Sequence, residues 1–247
     1  MAYPRIKAVI FNHNQPATSE RLLTLLSSCF DSALFDSGSD PEQHSSLTTH
    51  SFDNLFWTGC WNKAWQTFPD YDVIWGIGGD VSLLSPVELY AESIAAAYPF
   101  GLWSPAIEGN AQTYMKAPVG LHALFSVHRL EGVAFAISRT AWQAVGPLDE
   151  ENSFGFGQDL VCSYESRRHG YKNLLDTRVC IQHPMTQSYN REKAKDLMFA
   201  AFEKRYGPDW NDCLDFWWGN RISFSKNVIS RVEVEAPGLK RYTMPFA

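Results

Sequence analysis

Four ionisable side chains stand directly after apolar runs or at the mouth of a helix, where a carboxylate or imidazole can emerge from a rigid element. Asp36 follows Ser32 to Phe35 and opens Asp36-Ser37-Gly38-Ser39-Asp40, a stretch of turn formers and exposed hydrogen-bond acceptors. Asp80 follows the buried run Asp72 to Ile77 after a Gly78-Gly79 break. One carboxylate of this kind suits a hard divalent cation, Mg2+ or Mn2+, that draws its remaining oxygen ligands from elsewhere. Asp159 ends Gly155-Phe156-Gly157-Gln158-Asp159 at the start of a helix; a free aspartate titrates near pH ~3.9, so it is ionised at neutral pH and able to take a proton from a hydroxyl. His183 follows the run Val179 to Ile181, and its imidazole suits Mn2+ better than Mg2+. Each has a plainer alternative: a solvated turn for Asp36, a helix N-cap for Asp80 and Asp159, a surface loop for His183.

The elements that must hold these groups follow from periodicity. Ile6 to Phe11 reads as a buried strand, and Ser19 to Cys29 as a helix carrying Leu22, Leu23, Leu25 and Leu26. Ser32 to Phe35 is a short strand, Phe56 to Phe68 a helix with Trp57, Trp61 and Trp65 four residues apart, and Asp72 to Ile77 a third strand. This order is that of a βαβ sheet, in which ligands gather at the carboxyl ends of the strands. Further on, Pro86 to Ala97 reads as a helix, Phe100 to Ser104 as a strand, Gly109 to Val127 as loop, and Gly132 to Ser138 as a strand followed by a short helix, Arg139 to Val145. Leu160 to His169 reads as a helix closed by Gly170, Tyr171 to Ile181 as the last strand and Arg191 to Tyr206 as a helix.

Composition bounds the possibilities. The 247 residues, 45% hydrophobic and 19% charged, suffice for a full core and exclude a disordered chain or a disulfide miniprotein. Five cysteines with no CxxC pair (Cys29, Cys60, Cys162, Cys180, Cys213) suggest reduced thiols and no zinc ribbon. The longest apolar stretches, such as Ala95 to Pro105, fall short of the ~20 residues that cross a bilayer, and the opening apolar segment ends at Asn12, too short for a signal peptide; a cytoplasmic protein without integral membrane association is expected. Residues 1–159 hold 7 basic and 17 acidic side chains and residues 160–247 hold 14 and 10, an asymmetry that suits an anionic ligand between an acidic site and a basic surface.

The ordered succession IFNHNQP, FDSGSDPE, DVIWGIGGDVSLLSP, EGVAFAISRTAWQAVGPLDE, GFGQDLVCSYESRRHGYK and VCIQHP resembles nucleotide-sugar-dependent glycosyltransferases of the GT-A fold, family-2-like, over about residues 6 to 185. The resemblance implies a mixed α/β sheet flanked by helices over 1–185, with a C-terminal helical or irregular extension, 186–247, packed on it. It implies that Phe11, Asn12, Asn14 and Asp36 hold the nucleoside and that Gly79 and Asp80 meet the diphosphate. Asp80 and His183 would hold Mn2+ or Mg2+, Glu131 and Gly132 would approach the donor sugar, and Asp159 would be the catalytic base. Gly78 stands where the family carries the first acid of Asp-x-Asp, and Gln158 where it usually carries Glu. Asp149-Glu150 resembles the acid pair before the acceptor loop. Trp103, Gln158, Arg168 and the cluster Phe216-Trp217-Trp218 are candidates for acceptor contact, since aromatic faces stack on sugars and bases.

The expected activity is transfer of a sugar from a nucleotide sugar, a UDP-sugar first, to an acceptor hydroxyl with inversion. Two alternatives stand beside it. Basic residues among aromatics, including Lys193, Lys195, Lys204, Arg205, Arg221, Lys226, Arg231, Lys240 and Arg241, leave room for DNA carrying a hydroxylated base as acceptor, which would have to be flipped out of the stack. Replacement of two usual acids by Gly78 and Gln158 leaves room for a non-catalytic nucleotide-sugar-binding protein.

Overall fold

Short apolar runs separated by helices assemble here around a single sheet. The computed structural model describes residues 3–109, 111–116, 118, 120–184, 190–213 and 223–233. In chain order the elements are β1 (Ile6–Asn12), α1 (Pro16–Leu26), β2 (Asp31–Ser37), β3 (His50–Phe52), α2 (Phe56–Thr67), β4 (Val73–Gly78), β5 (Ser82–Leu83), α3 (Val87–Ala97) and β6 (Leu102–Gly109). There follow β7 (Leu124–Val127), β8 (Ala136–Ser138), α4 (Arg139–Val145), α5 (Gln158–Arg168), β9 (Asn173–His183), α6 (Arg191–Tyr206), α7 (Trp210–Cys213), α8 (Phe224–Asn227) and β10 (Val228–Val232).

Among the described residues the strands form one sheet in the order β10-β7-β9-β6-β8-β4-β1-β2-β3, with β5 pairing onto β9. β1 is parallel to both β2 and β4, and β2 to β3. β8 is antiparallel to β4 and to β6, and β6 is parallel to β9. The carboxyl ends of β1, β2, β3, β4, β6 and β9 therefore share one edge with the amino end of β8. That edge is where every proposed site residue from the strand ends must meet.

Local sequence explains the supports. Pro16 starts α1, where a missing amide hydrogen costs nothing, and Leu22 and Leu26 bury one face four residues apart. In α2, Trp61 is fully buried and stacks on Phe135 with ring centres 4.9 Å apart. Gly76 in β4 makes room for that indole, since a Cβ there would lie 2.4 Å from its ring.

The differences from expectation have physical reasons. β6 runs on to Gly109 because it pairs with β9 to His183. The stretch read as loop contains β7, short and paired with β9 and β10. The strand expected from Gly132 narrows to Ala136–Ser138, since the carbonyls of 132–135 accept alternately from the Trp57 and Trp75 indoles and from the Gly78 and Gly76 amides. β10 places part of the 186–247 extension in the same sheet as the first 185 residues. Trp103 is a correction: it is fully buried, edge-to-face with Trp75 at 6.0 Å, and so is a core residue with no surface for an acceptor. No described helix is long and apolar enough to cross a membrane. Cys29, Cys60, Cys162 and Cys180 are free thiols.

Candidate functional site

The end of β1 and the loop after β2 are locked together by side chains. Asn12 donates through Nδ2 to Asp36 Oδ2 at 2.7 Å, and the Ser39 amide donates to Asp36 Oδ1 at 3.0 Å. Asn12 Oδ1 accepts from Ser19 Oγ at 2.9 Å and from the Gln15 amide at 3.1 Å. Asn14 closes the cradle reciprocally, donating to Asp40 Oδ2 at 3.0 Å and accepting from the Asp40 amide at 2.8 Å. Asp36 is only 1% exposed, so both its oxygens organise the loop. Among the groups at least partly exposed here are His13, Asn14, Ser39 and Asp40. Phe11, half-buried, packs edge-on to Trp61 beneath them, with ring centres 5.5 Å apart.

Beside this cradle Gly79 is pressed against β1: its amide donates to Phe11 O at 2.9 Å, and a Cβ would lie 2.6 Å from Ser19 Oγ. No side chain fits there, which sends the chain out to Asp80. Asp80 Oδ2 lies 3.4 Å from His183 Nε2 at the end of β9, and both side chains are partly exposed. A Cβ at Gly78 would sit 3.1 Å from Asp80 Oδ1, so the absent first acid leaves little vacant space. Among the described residues no group of three or more His, Cys, Asp and Glu side chains is placed to hold a metal. Asp80 and His183 do fit a cation as two neighbouring oxygen and nitrogen donors, with the remaining positions filled by ligand oxygens and water.

The third component comes from the segment before β8. The Gly78 amide donates to Val133 O at 3.0 Å, tying this segment to the end of β4. The Gly132 amide donates to Asp159 Oδ2 at 3.2 Å, and the Leu160 amide donates to Asp159 Oδ1 at 2.9 Å in the first turn of α5. Gly132 O accepts from Trp57 Nε1 at 3.0 Å, and a Cβ at Gly132 would lie 2.7 Å from the Trp57 ring. Glu131 Oε2 accepts from the Gln112 amide at 2.9 Å.

Burial sets the charge of these two acids. It pushes Asp159 up to about 6, against the lowering effect of the Leu160 and Gly132 amides and the Arg129 cation. It pushes Glu131 up to about 7; the charge of Asp159 adds to the rise, while the Gln112 amide and His183 oppose it. Glu131 thus lies within electrostatic reach of both Asp159 and His183, and the Tyr114 phenol, raised by burial and then by the same two acids, borders them.

Two supports escaped sequence reasoning. Ser163 in α5 accepts from the Leu130 amide at 3.0 Å. Asn227, 1% exposed, grips the preceding residue from the C-terminal extension: its Oδ1 accepts from the Arg129 amide at 3.0 Å, its Nδ2 donates to Arg129 O at 2.9 Å, and its carbonyl accepts from the His128 amide at 2.9 Å. An isolated asparagine in a polar stretch gives no signal of such a contact; it arises only when β10 docks on β7.

Not all expected residues converge. Gln158 is 2% exposed and reaches Asp149 O at 3.4 Å, so it braces the preceding loop. Arg168 is nine residues beyond Asp159, about 14 Å along the helix axis, and pairs with Glu165. Neither side chain is placed for an acceptor beside Asp159. In the acid pair, Glu150 accepts from Asn62 at 2.8 Å and Asp149 pairs with Lys204 at 3.2 Å. Phe216-Trp217-Trp218, with Arg221, Lys240 and Arg241, lies outside the described residues. Of the expected basic surface, Lys195, Lys204 and Arg231 are paired with acids, which weakens the electrostatic case for DNA.

The fold is shared with solved structures. GalNAc-T7 with UDP, GalNAc and Mn2+ superposes with a TM-score of 0.61 at 13% identity, over 75% of this chain and 44% of that one. The fold is GT-A. This GT-A chain also matches the mannosyltransferase PcManGT from Pyrobaculum calidifontis in complex with GDP-Man and Mn2+ (TM-score 0.57, 14% identity, 87% of this chain and 69% of that one). S. aureus TarS matches at a TM-score of 0.58 and 10% identity, over 85% of this chain and 42% of its own. The chain thus spans under half the length of two of these structures. No protein-family model and no curated protein matches the GT-A sequence itself.

Proposed function

We propose that the protein is a nucleotide-sugar-dependent glycosyltransferase that moves a sugar, from a UDP-linked donor first, onto an acceptor hydroxyl with inversion. The observation that carries this is the convergence of Asp159, held by the Gly132 amide, with the Asp80–His183 pair on one sheet edge, beside the Asn12–Asp36 cradle. GalNAc-T7 and PcManGT, whose folds this chain shares, hold nucleotide or nucleotide sugar with Mn2+, which supports both ligands here.

Asn14, Ser39 and Asp40 would meet the nucleoside, with Asp36 and Asn12 fixing the loop that presents them. Asp80 and His183 would hold the cation, which offsets negative charge on a leaving diphosphate. Asp159 faces the opposite task. A carboxylate titrating near 6 is ionised at neutral pH yet more basic than a free aspartate, so it accepts a proton from the attacking hydroxyl more readily. Glu131, titrating near 7, divides between acid and carboxylate at neutral pH, and its protonated form can donate a hydrogen bond to a donor-sugar oxygen. Alignment by these fixed groups is the chain's main contribution.

The test is a thermal-shift screen of UDP and GDP sugars with and without Mn2+, followed by turnover of whichever donor binds. A donor at about 100 times its Kd should stabilise the fold by about 2.7 kcal/mol. Because the metal shell is thin, Mn2+ alone should bind weakly and Asp80→Asn should abolish its effect on donor affinity. Absence of any nucleotide shift would remove the reading; binding without turnover, unchanged by Asp159→Asn, would favour a non-catalytic binder.

A further inference from the structure

Phe56 occupies a backbone position that disfavours it. Its φ is +50°, in the left-handed region that bulky residues avoid, and its amide donates to Asn54 Oδ1 at 2.9 Å in a turn that asparagine or glycine makes with less strain. The side chain is nevertheless 37% exposed, so it contributes little to the core. An exposed ring kept at a strained position points to a task outside folding.

Its surroundings suggest the task. The turn that holds Phe56 abuts the donor cradle, since a Cβ at Gly38 would lie 2.8 Å from Asn54 Cβ. On the other side, the adjacent Trp57 donates to Gly132 O, and the Gly132 amide donates to Asp159. Gly155 backs onto the Trp57 ring. Phe154, beside it, meets Phe56 edge to face with ring centres 5.1 Å apart. The two rings come from the start of α2 and from the loop that leads into Asp159, next to the Trp57 indole that contacts Gly132 and Gly155.

We propose that Phe56 and Phe154 form the acceptor subsite and that the acceptor is a pyranoside. A pyranose has an apolar C–H face, which packs on an aromatic ring, and a polar edge, which leaves a hydroxyl free to reach Asp159. This inference rests on the glycosyl-transfer reading and adds to it the chemical class of the acceptor.

The experiment titrates methyl α- and β-hexopyranosides of gluco, galacto and manno configuration, and their 2-acetamido counterparts, into the full chain with Mn2+ and saturating UDP or GDP. Binding is read by saturation-transfer NMR. At least one glycoside should bind through its C–H face, and Phe56→Asn should weaken it about tenfold, the order of one aromatic contact. Nucleotide affinity should hold within about twofold, and the melting temperature should not fall, because asparagine tolerates the left-handed backbone. Phe154→Ala should weaken the same glycoside. Unchanged glycoside affinity in both variants, loss of nucleotide affinity in Phe56→Asn, or nucleotide binding with no glycoside responding would each overturn the inference. Glycoside binding through Phe56 with no nucleotide bound would instead overturn the donor reading and leave the aromatic subsite standing.

Discussion

Replacing Glu131 by glutamine should stabilise this protein, and by an amount that depends on pH. Glu131 titrates near 7 in the fold against an ordinary value of 4.5, chiefly because it is buried. Between those values the folded chain retains a proton that the unfolded chain has released. The group's contribution to stability is therefore fully present below pH 4.5, declines as pH rises, and is lost by about pH 7. A displacement of that size corresponds to at most about 3 kcal/mol. Glutamine carries no charge to bury, and its side-chain oxygen still accepts from the Gln112 amide. Variant minus wild type should thus be near zero at pH 4.5 and approach that value at pH 8. For a chain of this size it amounts to about 5–10 °C in Tm. Calorimetry in metal-free buffer at several pH values reads the difference directly. A constant difference across pH, or a variant less stable at pH 8, would show that Glu131 is not held in a desolvating site beside Asp159.

Three further outcomes follow from the same geometry. The acidic limb of kcat for sugar transfer should fall near pH 6, where Asp159 titrates, and Asp159→Asn should lower kcat by about 100-fold or more while UDP or GDP affinity, measured by calorimetry, persists; a limb near pH 4 would contradict the burial of this acid. Asn227→Ala strips the partners from the Arg129 amide and carbonyl and should cost about 1–3 kcal/mol in urea unfolding, and a neutral result would mean that the C-terminal clamp is dispensable. Trp103→Phe should lower stability by about 1–3 kcal/mol through lost packing, because the Trp103 indole nitrogen has no hydrogen-bond partner to lose; in acceptor titrations its KM should match wild type, and a raised KM would return Trp103 to the acceptor site.

Much of this protein was legible in its residues because the signals were local. Ile6–Asn12 and Val73–Gly78 announce themselves by apolar runs and flanking turns, and the helix from Phe56 by tryptophans four residues apart. The two strands lead to Asn12 and Asp80, groups whose chemistry is known from their type, and a βαβ order assigns those ends to one edge. What remained hidden depends on partners distant in sequence. β3, β5 and β10 are short strands whose pairing comes from neighbours rather than from alternation. Gln158 and Trp103 read as site residues because they lie next to Asp159 or in an aromatic series, yet the packing of α5 and the sheet buries both. Asp36 lies inside β2 rather than in the turn expected after Phe35, and only the tertiary contacts with Asn12 and Ser39 reveal that its oxygens are spent on the loop. The basicity of Asp159 and Glu131 and the clamp of Asn227 are likewise properties of the folded chain. Residue type supplies a carboxylate or an amide, but desolvation and hydrogen bonding, which set what it does, are decided by segments dozens of residues away.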